Sequence, residues 1–464
     1  MTDIPSSNSS GAQDTHRISR ALTRGTAIVI AILGFFPIAN WIPGGHQADW
    51  YASVLGEWLN GSLIAVGGAL VLTILSRRLP IWREGFVTPL VRQAHARPRL
   101  TGLLMACVAF LLYAAIAVRV LSGRPLFIDE ISQLFQARIF ASGRLWLDAP
   151  THPEFTSILH VLDGEGKWFS QFPPGGPLMM VPGVWLHAPW ITGPLAGAIS
   201  VFLFWGIARR IEPRPSVSLG AALLMATAPF VAFLAGSHMN HTTSAMWIMV
   251  AVYALVRMSE GERDDLLIVP RPLYAALAGF AFGAAASIRP VDAFAFALPA
   301  GIWMVARTIR HRACFREVVA AGVALAVPAA LVLGYNALTT GYPLLFAYEY
   351  LWGKDHGLGF HRAPWGFVHS PARGLELLNL YFLRLQSYLF ETPLPSLVPA
   401  IAALALARRV RAVDRYLLAS VVFLTALYFS YWHDGFYLGP RFVYLAAPFL
   451  VLWTARAPAF VRER

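Results

Sequence analysis

The feature that most constrains this chain is a series of about twelve apolar runs, most of them close to the ~20 residues that a helix needs to cross a bilayer. Hydrophobic residues make up 57% of the 464 residues, charged residues 13%, and the mean hydropathy is +0.55. Such a composition leaves too little polar surface to cover a soluble globule of this length. The sequence therefore predicts an all-α polytopic membrane protein with about twelve transmembrane helices, within a range of 11 to 13. The runs are residues 26–43, 61–75, 100–118, 191–208, 217–235, 242–256, 273–288, 293–306, 318–335, 394–407, 416–431 and 442–455.

The arginines indicate which loops face the cytoplasm. If the amino terminus is inside, the inner loops collect most of the 37 basic residues, with clusters in residues 77–99 and 307–316. Cytoplasmic loops of membrane proteins are enriched in Lys and Arg. The net charge of +12 is thus explained by topology, and no nucleic-acid partner is predicted.

One apolar stretch, "PLMMVPGVWLHAPW" at residues 177–190, is short and contains Pro182 and Pro189. We interpret it as a horizontal or re-entrant helix, because a crossing here would move most later arginines to the outside. This topology leaves two large outer loops, residues 121–190 and 336–393.

Two adjacent carboxylates, Asp129 and Glu130, open the segment "DEISQLFQARIFASG" in the first outer loop. Its apolar residues have helical spacing, and Gly143 is a plausible stop, so an amphipathic juxtamembrane helix is predicted on the outer surface. A carboxylate at a helix start can simply cap the helix. The alternative is that Asp129 is a general base facing a cavity at the membrane boundary, with Glu130 either in a positioning role or hydrogen-bonded to the sugar.

Arg289 in "SIRPVD" and Arg441 in "LGPRF" lie on the outer face, whereas most basic residues of the chain lie in the inner loops. They are either anchors for membrane lipid phosphates or a clamp for the phosphate of a lipid substrate. A guanidinium suits the second role because it binds phosphate through two donors.

Both lysines of the chain, Lys167 and Lys354, fall in the large outer loops. We treat them as candidate substrate-binding residues together with Arg362, which follows Lys354 in an aromatic, Gly-punctuated segment. Such a loop can cover a site as a lid, and Trp352 and Trp365 could stack on a sugar ring.

The turn "SHMNH" places His238 and His241 at a spacing that either binds a metal ion or forms a polar lining. Two histidines alone are no clear metal motif. Cys107 lies inside an apolar run and Cys314 in a basic loop, so no cysteine-based site is predicted. We expect no cofactor, and a divalent metal ion stays an open alternative.

Taken together, the outer motifs resemble those of a known superfamily. The Asp-Glu pair before an amphipathic helix, the "KWFSQFPPGGPL" corner, the "SHMNH" and "SIRP" turns and the late "GPRF" resemble GT-C membrane glycosyltransferases. Within that superfamily the sequence is similar to bacterial protein O-mannosyltransferases and lipid A aminoarabinose transferases of the family 39-like type. The resemblance extends from about residue 100 to the end.

This resemblance implies transfer of a sugar, with inversion, from a polyprenyl-phosphate donor to a lipid, glycan or protein acceptor. Asp129 matches the catalytic carboxylate, and Glu130 lies beside it. Lys167, Arg289 and Arg441 match only the general use of outer basic residues around the lipid phosphate. The Asp-x-Asp metal motif of oligosaccharyltransferases is missing, which favours a metal-independent branch.

The expected organisation has three parts: a disordered cytoplasmic tail at 1–25, a transmembrane hairpin with a basic loop at 26–99, and a GT-C-like catalytic domain at 100–464. The expected location is a bacterial inner membrane, with the active site facing the periplasm or the exterior. A transporter or flippase of a lipid-linked sugar is the alternative function. Transporters usually bury ionisable residues in their spans, and these spans have almost none.

Overall fold

The computed structural model describes residues 8–44, 50–78, 87–260, 271–408 and 410–463. Within these ranges the chain is almost entirely helical, with a small antiparallel sheet of strand order β1-β3-β2. The elements are α1 (Asn8–Phe35), α2 (Trp50–Arg78), α3 (Val87–Ala96), α4 (Pro98–Ala115), α5 (Ile128–Ala141), β1 (Leu147–Asp148), β2 (Val161–Gly164), β3 (Lys167–Ser170), α6 (Gly175–Trp185), α7 (Thr192–Ile211), α8 (Pro215–Thr227), α9 (Pro229–Gly236), α10 (His241–Glu260), α11 (Arg271–Ala286), α12 (Pro290–Arg310), α13 (Phe315–Thr340), α14 (Ala347–Trp352), α15 (Pro371–Tyr388), α16 (Val398–Leu406), α17 (Ala412–Phe429) and α18 (Ala447–Arg462).

The predicted class, an all-α polytopic membrane protein, is confirmed. Nine helices of the described residues are long and apolar enough to cross a membrane, and α8 with α9, bent by 45°, makes a tenth. The other two predicted runs, 273–288 and 394–407, coincide with α11 and α16, which have 16 and 9 residues. The count of about twelve is therefore not confirmed.

Helix α16 is short because its run is only partly helical. Gln386 accepts from the amide of Leu397, just before α16, and donates to the carbonyl of Gly34 in α1. Arg415, beyond the end of α16, donates to Ser19 in α1. Helix α16 thus packs along α1. The first four residues of its predicted run, 394–397, form a bend and a turn before the helix, which composition alone does not reveal.

Helix α15 was not expected, because residues 336–393 were assigned to an outer loop. It has 18 residues, and eleven of them are buried, including polar Glu376, Asn379 and Gln386. Asn379 donates to the carbonyls of Leu33 and Phe36 at the end of α1. The helix therefore lies across the carboxyl end of α1, and its polar residues satisfy backbone groups that a helix end leaves free.

The predicted tail at 1–25 is wrong for the part that the structure describes, since α1 begins at Asn8. The helix propagates backwards from the apolar run through residues with adequate helix propensity. Residues 1–7, and residues 79–86 of the predicted basic loop, lie outside the described residues. Helix α1 packs against α15 and α16, so the first span joins the main helix bundle.

The first outer loop folds into α5, the three strands and α6. Helix α6 has 11 residues and is too short to cross a bilayer, as expected for residues 177–190. Helix α5 forms where predicted, but it does not lie exposed on a surface: seven of its residues are buried, among them Ser132, Gln133 and Gln136. Gln136 donates to the carbonyl of Leu145 and accepts from the amide of Ser170, which fixes α5 against β3.

The arrangement predicts which residues an impermeant reagent reaches. In a variant without Cys107 and Cys314, a cysteine at Ser157 or Gly357 should react with an impermeant maleimide added outside intact cells. A cysteine at Glu260 should react only after the membrane is opened. The reverse labelling pattern would invert the sidedness of both large loops.

Candidate active site

A cavity of about 380 Å³ lies where the outer segments meet the helix bundle. This volume is within the range of ordinary small-molecule sites. Its walls come from the start of α5, the first residues of α10 and α12, and the segment before α18. Lining residues lie within 129–133, 160–172, 239–241, 289–291, 346–365 and 428–442.

Asp129 lies in this cavity, as predicted for the candidate base, and is held by two partners. Its Oδ2 is 2.8 Å from Nη1 of Arg441, whose side chain is only 4% exposed. Its Oδ1 is 3.4 Å from Nε2 of His160. The carboxylate therefore joins α5 to the segment that precedes α18.

His160 was not predicted as a site residue, and a chain of hydrogen bonds fixes its tautomer. Trp352 can only donate, and its Nε1 bonds to Oε1 of Gln171 at 2.7 Å. The Nε2 of Gln171 therefore donates to Nδ1 of His160 at 2.8 Å. Burial lowers the pKa of His160, so the neutral imidazole carries its proton on Nε2 and points it towards Asp129. The stretch "SILHVL" contains no motif that could have revealed this role.

Glu130 does not face the cavity, which corrects its expected contact with a sugar. It is 1% exposed, and its carboxylate accepts backbone N–H groups from Leu126, Phe127 and His238. Burial raises the pKa of Glu130 and the neighbouring Asp129 raises it further, while the three backbone donors oppose the rise. The capping role considered for the pair belongs to Glu130, which also holds the "SHMNH" turn in place.

Arg289 and Arg441 both line the cavity, as predicted, but each already binds a carboxylate. Arg289 pairs with Asp292, which also accepts a hydrogen bond from Tyr428. Arg289 donates further to the hydroxyl of Tyr428 at 2.9 Å. The spacing of Arg289 and Asp292 across a helix start was a signal in the sequence for this pair.

The remaining predicted cations separate into one inside the cavity and two outside it. Lys354 lines the cavity, and its ammonium has no hydrogen-bond or ion-pair partner in the part of the chain that the structure describes. Lys167 instead donates to the carbonyl of Leu338 and lies over the ring of Trp146. Arg362 is exposed and lies in a short β-bridge with Val368.

The two histidines of the "SHMNH" turn diverge. His241 lines the cavity and stacks on Phe442. His238 instead lines a small neighbouring pocket, and burial lowers its pKa to about 4. Within the described residues, no group of three or more His, Cys, Asp or Glu side chains is placed to hold a metal ion.

Aromatic side chains form much of the wall, and only Trp352 and Trp365 were foreseen. Tyr348 stacks on His356 with ring centroids 5.0 Å apart, and Trp432 meets the edge of His356 at 5.6 Å. Burial lowers the pKa of His356 to about 4, so this imidazole is neutral at physiological pH. Such a wall suits the apolar faces of a sugar ring. Trp432 and its neighbours resemble an interfacial belt in sequence, which hid this role.

The position of Glu130 predicts a structural effect for its removal. Glu130→Ala would leave three backbone donors without an acceptor, and each buried unsatisfied group costs about 1 to 3 kcal/mol. We expect a clear fall in the thermal unfolding temperature of the purified protein, measured by intrinsic fluorescence. Glu154→Ala, at an exposed glutamate, is the control. Equal stability of the two variants would contradict the assigned role.

Comparisons with known proteins agree with this architecture. No protein-family model matches the sequence, and no curated protein matches it significantly. Among solved structures, ArnT from Cupriavidus metallidurans bound to undecaprenyl phosphate matches with a TM-score of 0.52 at 16% identity, covering 76% of this chain and 59% of that one. Apo ArnT matches with a TM-score of 0.51 at the same identity and 76% and 58% coverage.

The apo Archaeoglobus fulgidus oligosaccharyltransferase is less similar, with a TM-score of 0.41 at 14% identity, covering 78% of this chain and 50% of that one. The chain spans about three fifths of the length of the ArnT structures that it matches. The chain thus has a fold similar to that of the ArnT structures.

Proposed function

We propose that this protein transfers a sugar from a polyprenyl-phosphate donor to an acceptor on the outer face of a bacterial cytoplasmic membrane, with inversion. The observation that carries the proposal is the cavity in which Asp129, the unpaired Lys354 and two guanidinium groups meet beside an aromatic wall. The bound undecaprenyl phosphate in the matching ArnT structure supports the donor class.

In the proposed step, a hydroxyl oxygen of the acceptor attacks the anomeric carbon of the sugar. The new carbon–oxygen bond forms as the bond to the phosphate oxygen breaks, and that oxygen keeps the electron pair. Asp129 accepts the hydroxyl proton. The products are the glycosylated acceptor, polyprenyl phosphate and protonated Asp129, which then releases its proton to water.

Arg441 and His160 orient the base in this scheme. Both donate towards Asp129, so its two oxygens are held in a fixed plane. His160 cannot accept the proton in this arrangement, because Nε2 already carries one and Nδ1 is occupied by Gln171. His160 is therefore a positioning residue, and the proton leaves through the cavity.

Lys354, an exposed residue of the cavity lining, is our candidate for binding the donor phosphate. A phosphate that bound Arg289 would compete with Asp292, and one that bound Arg441 would compete with Asp129. An ammonium group without a partner has no such competition. Nε of Arg441, which has no partner among the described residues, offers a second donor beside the base.

The phosphate assignment predicts different effects for the two lysines. Lys354→Met should weaken binding of undecaprenyl phosphate by about 10- to 150-fold, the value of a charge-assisted contact. Lys167→Met, outside the cavity, should leave the affinity unchanged. Both affinities can be measured on purified protein by microscale thermophoresis, and equal losses or no loss would remove Lys354 from the site.

The base assignment predicts a loss of rate without a matching loss of donor binding. Asp129→Asn keeps an oxygen that can accept from Arg441, but it removes the charge that compensates this guanidinium, so the protein should also be less stable. Asparagine cannot take a proton, so transfer by the folded protein should fall by about 10²- to 10⁴-fold. Transfer can be followed by mass spectrometry with a panel of undecaprenyl-phosphate sugars and envelope glycolipids. Asp163→Asn, at an exposed position, is the control.

The assay runs in detergent with folded, monodisperse protein. Because a flippase needs two leaflets, donor consumption in detergent also separates the two functions. Near-native transfer by Asp129→Asn would exclude Asp129 as the base. The flippase would be favoured if the amount of donor did not fall with any acceptor and if the protein moved donor between the leaflets of vesicles.

A further inference from the structure

Two buried polar side chains of the cavity wall have no task in the proposed step. Gln133 is 1% exposed, lies one turn after Asp129 on α5, and makes no hydrogen bond within the described residues. His241 is 2% exposed, and neither of its ring nitrogens has a partner there. Both residues line the same cavity as Asp129.

Unpartnered buried groups of this kind are uncommon in folded proteins. Leaving one unsatisfied is costly, and the great majority find a partner in the protein or in ordered water. Gln133 and His241 are therefore best explained by hydrogen bonds to a molecule that enters the cavity. Terminal amide and imidazole torsions are broad, so both groups can turn towards a ligand at little cost.

The backbone around Gln133 is arranged to leave this amide room. A Cβ at Gly176 would lie 2.7 Å from Oε1 of Gln133 and 3.3 Å from Cβ of Asn240. Because Gly176 has no side chain, the start of α6 can approach both residues without filling the space between them. Asn240 directly precedes His241, so three polar side chains border this end of the cavity.

We propose that Gln133, Asn240 and His241 form a subsite that binds the hydroxyl groups of a neutral sugar in the lipid-linked donor. Amide and imidazole groups both donate and accept, which matches hydroxyl groups. The inference rests on the proposed function, since it takes the donor to be a polyprenyl-phosphate sugar. It adds the class of sugar, which the transfer chemistry leaves open.

The charges around the subsite favour a neutral sugar over an amino sugar. The nearby carboxylates, Asp129 and Asp292, are already paired with guanidinium groups. The guanidinium carbons of Arg289 and Arg441 lie 5.7 and 5.6 Å from the ring centroid of Phe442. His241 stacks on the same ring. Glu349 of the second outer loop also lines the cavity and has no ion-pair partner among the described residues. The three subsite residues lie instead beside the two guanidinium groups, since Arg289 is 3.4 Å from Oδ1 of Asn240. A sugar ammonium at this end would therefore be close to two cations.

The test compares lipids with and without a sugar in a binding assay that needs no turnover. Affinities of the full chain in detergent are measured for undecaprenyl phosphate, its glucose, galactose and mannose derivatives, and its 4-amino-4-deoxyarabinose derivative. We expect at least one neutral derivative to bind more tightly than undecaprenyl phosphate alone. Gln133→Met and His241→Phe should each reduce that preference about 2- to 12-fold, the range for one neutral hydrogen bond, without changing affinity for the bare lipid.

Two control variants and one further test substitution are measured in the same assay. Gln93→Met and His152→Phe, at exposed positions, should keep the full preference. Gly176→Ala should reduce it, because the added carbon displaces the amide of Gln133. Unfolding temperatures identify any variant that fails to fold. The variants that do fold then show whether the subsite binds the sugar.

Three results would overturn the subsite. They are an unchanged preference in both folded Gln133→Met and His241→Phe, tighter binding of the amino sugar than of every neutral derivative, and no neutral derivative that binds more tightly than the bare lipid. A failure of the proposed transfer reaction would be seen in the transfer assay instead. The donor would bind with this preference but would not be consumed.

Discussion

The ion pair between Asp129 and Arg441 is the interaction on which the arrangement of the site depends. It connects the start of α5 with the segment before α18, two regions more than 300 residues apart in the sequence. Arg441 is almost fully buried, so removing its carboxylate would leave an uncompensated charge, a change that typically costs about 3 to 5 kcal/mol. The cavity is formed only when these regions meet. Glu130, the next residue, fastens the same turn of α5 to the "SHMNH" turn through backbone donors.

The adjacent carboxylates thus divide two tasks by the directions in which they point. Asp129 is held in the cavity by groups that donate to it, whereas Glu130 is buried among backbone amides. In the proposed mechanism this division places a fixed base in the cavity, and Gln133 of the proposed sugar subsite lies one turn further along α5. The second outer loop contributes two residues to the site. Lys354 lines the cavity, and Trp352 fixes the tautomer of His160 through Gln171.

Sequence periodicity and charge predicted the class of fold, the helix at Asp129 and the short helix α6, because each depends on local pattern. They also placed Asp129, Arg289, Arg441, Lys354 and His241 in one region. Pairing could not be predicted: the partners of Asp129 and Arg441 come from distant segments, and no local pattern specifies them. Helix α15 was missed for a related reason, since its buried polar residues serve the end of α1 and make its sequence look like a loop.

The most direct test of the account is a cryo-electron microscopy structure of the full chain in lipid nanodiscs with undecaprenyl phosphate. The account predicts the phosphate inside the cavity, within hydrogen-bonding distance of Nζ of Lys354 and beside Arg441, with the lipid chain extending into the bilayer. Asp129 should then face the space next to the phosphate where the sugar would lie. A phosphate bound outside this cavity, away from Asp129, would contradict the assignment of the site.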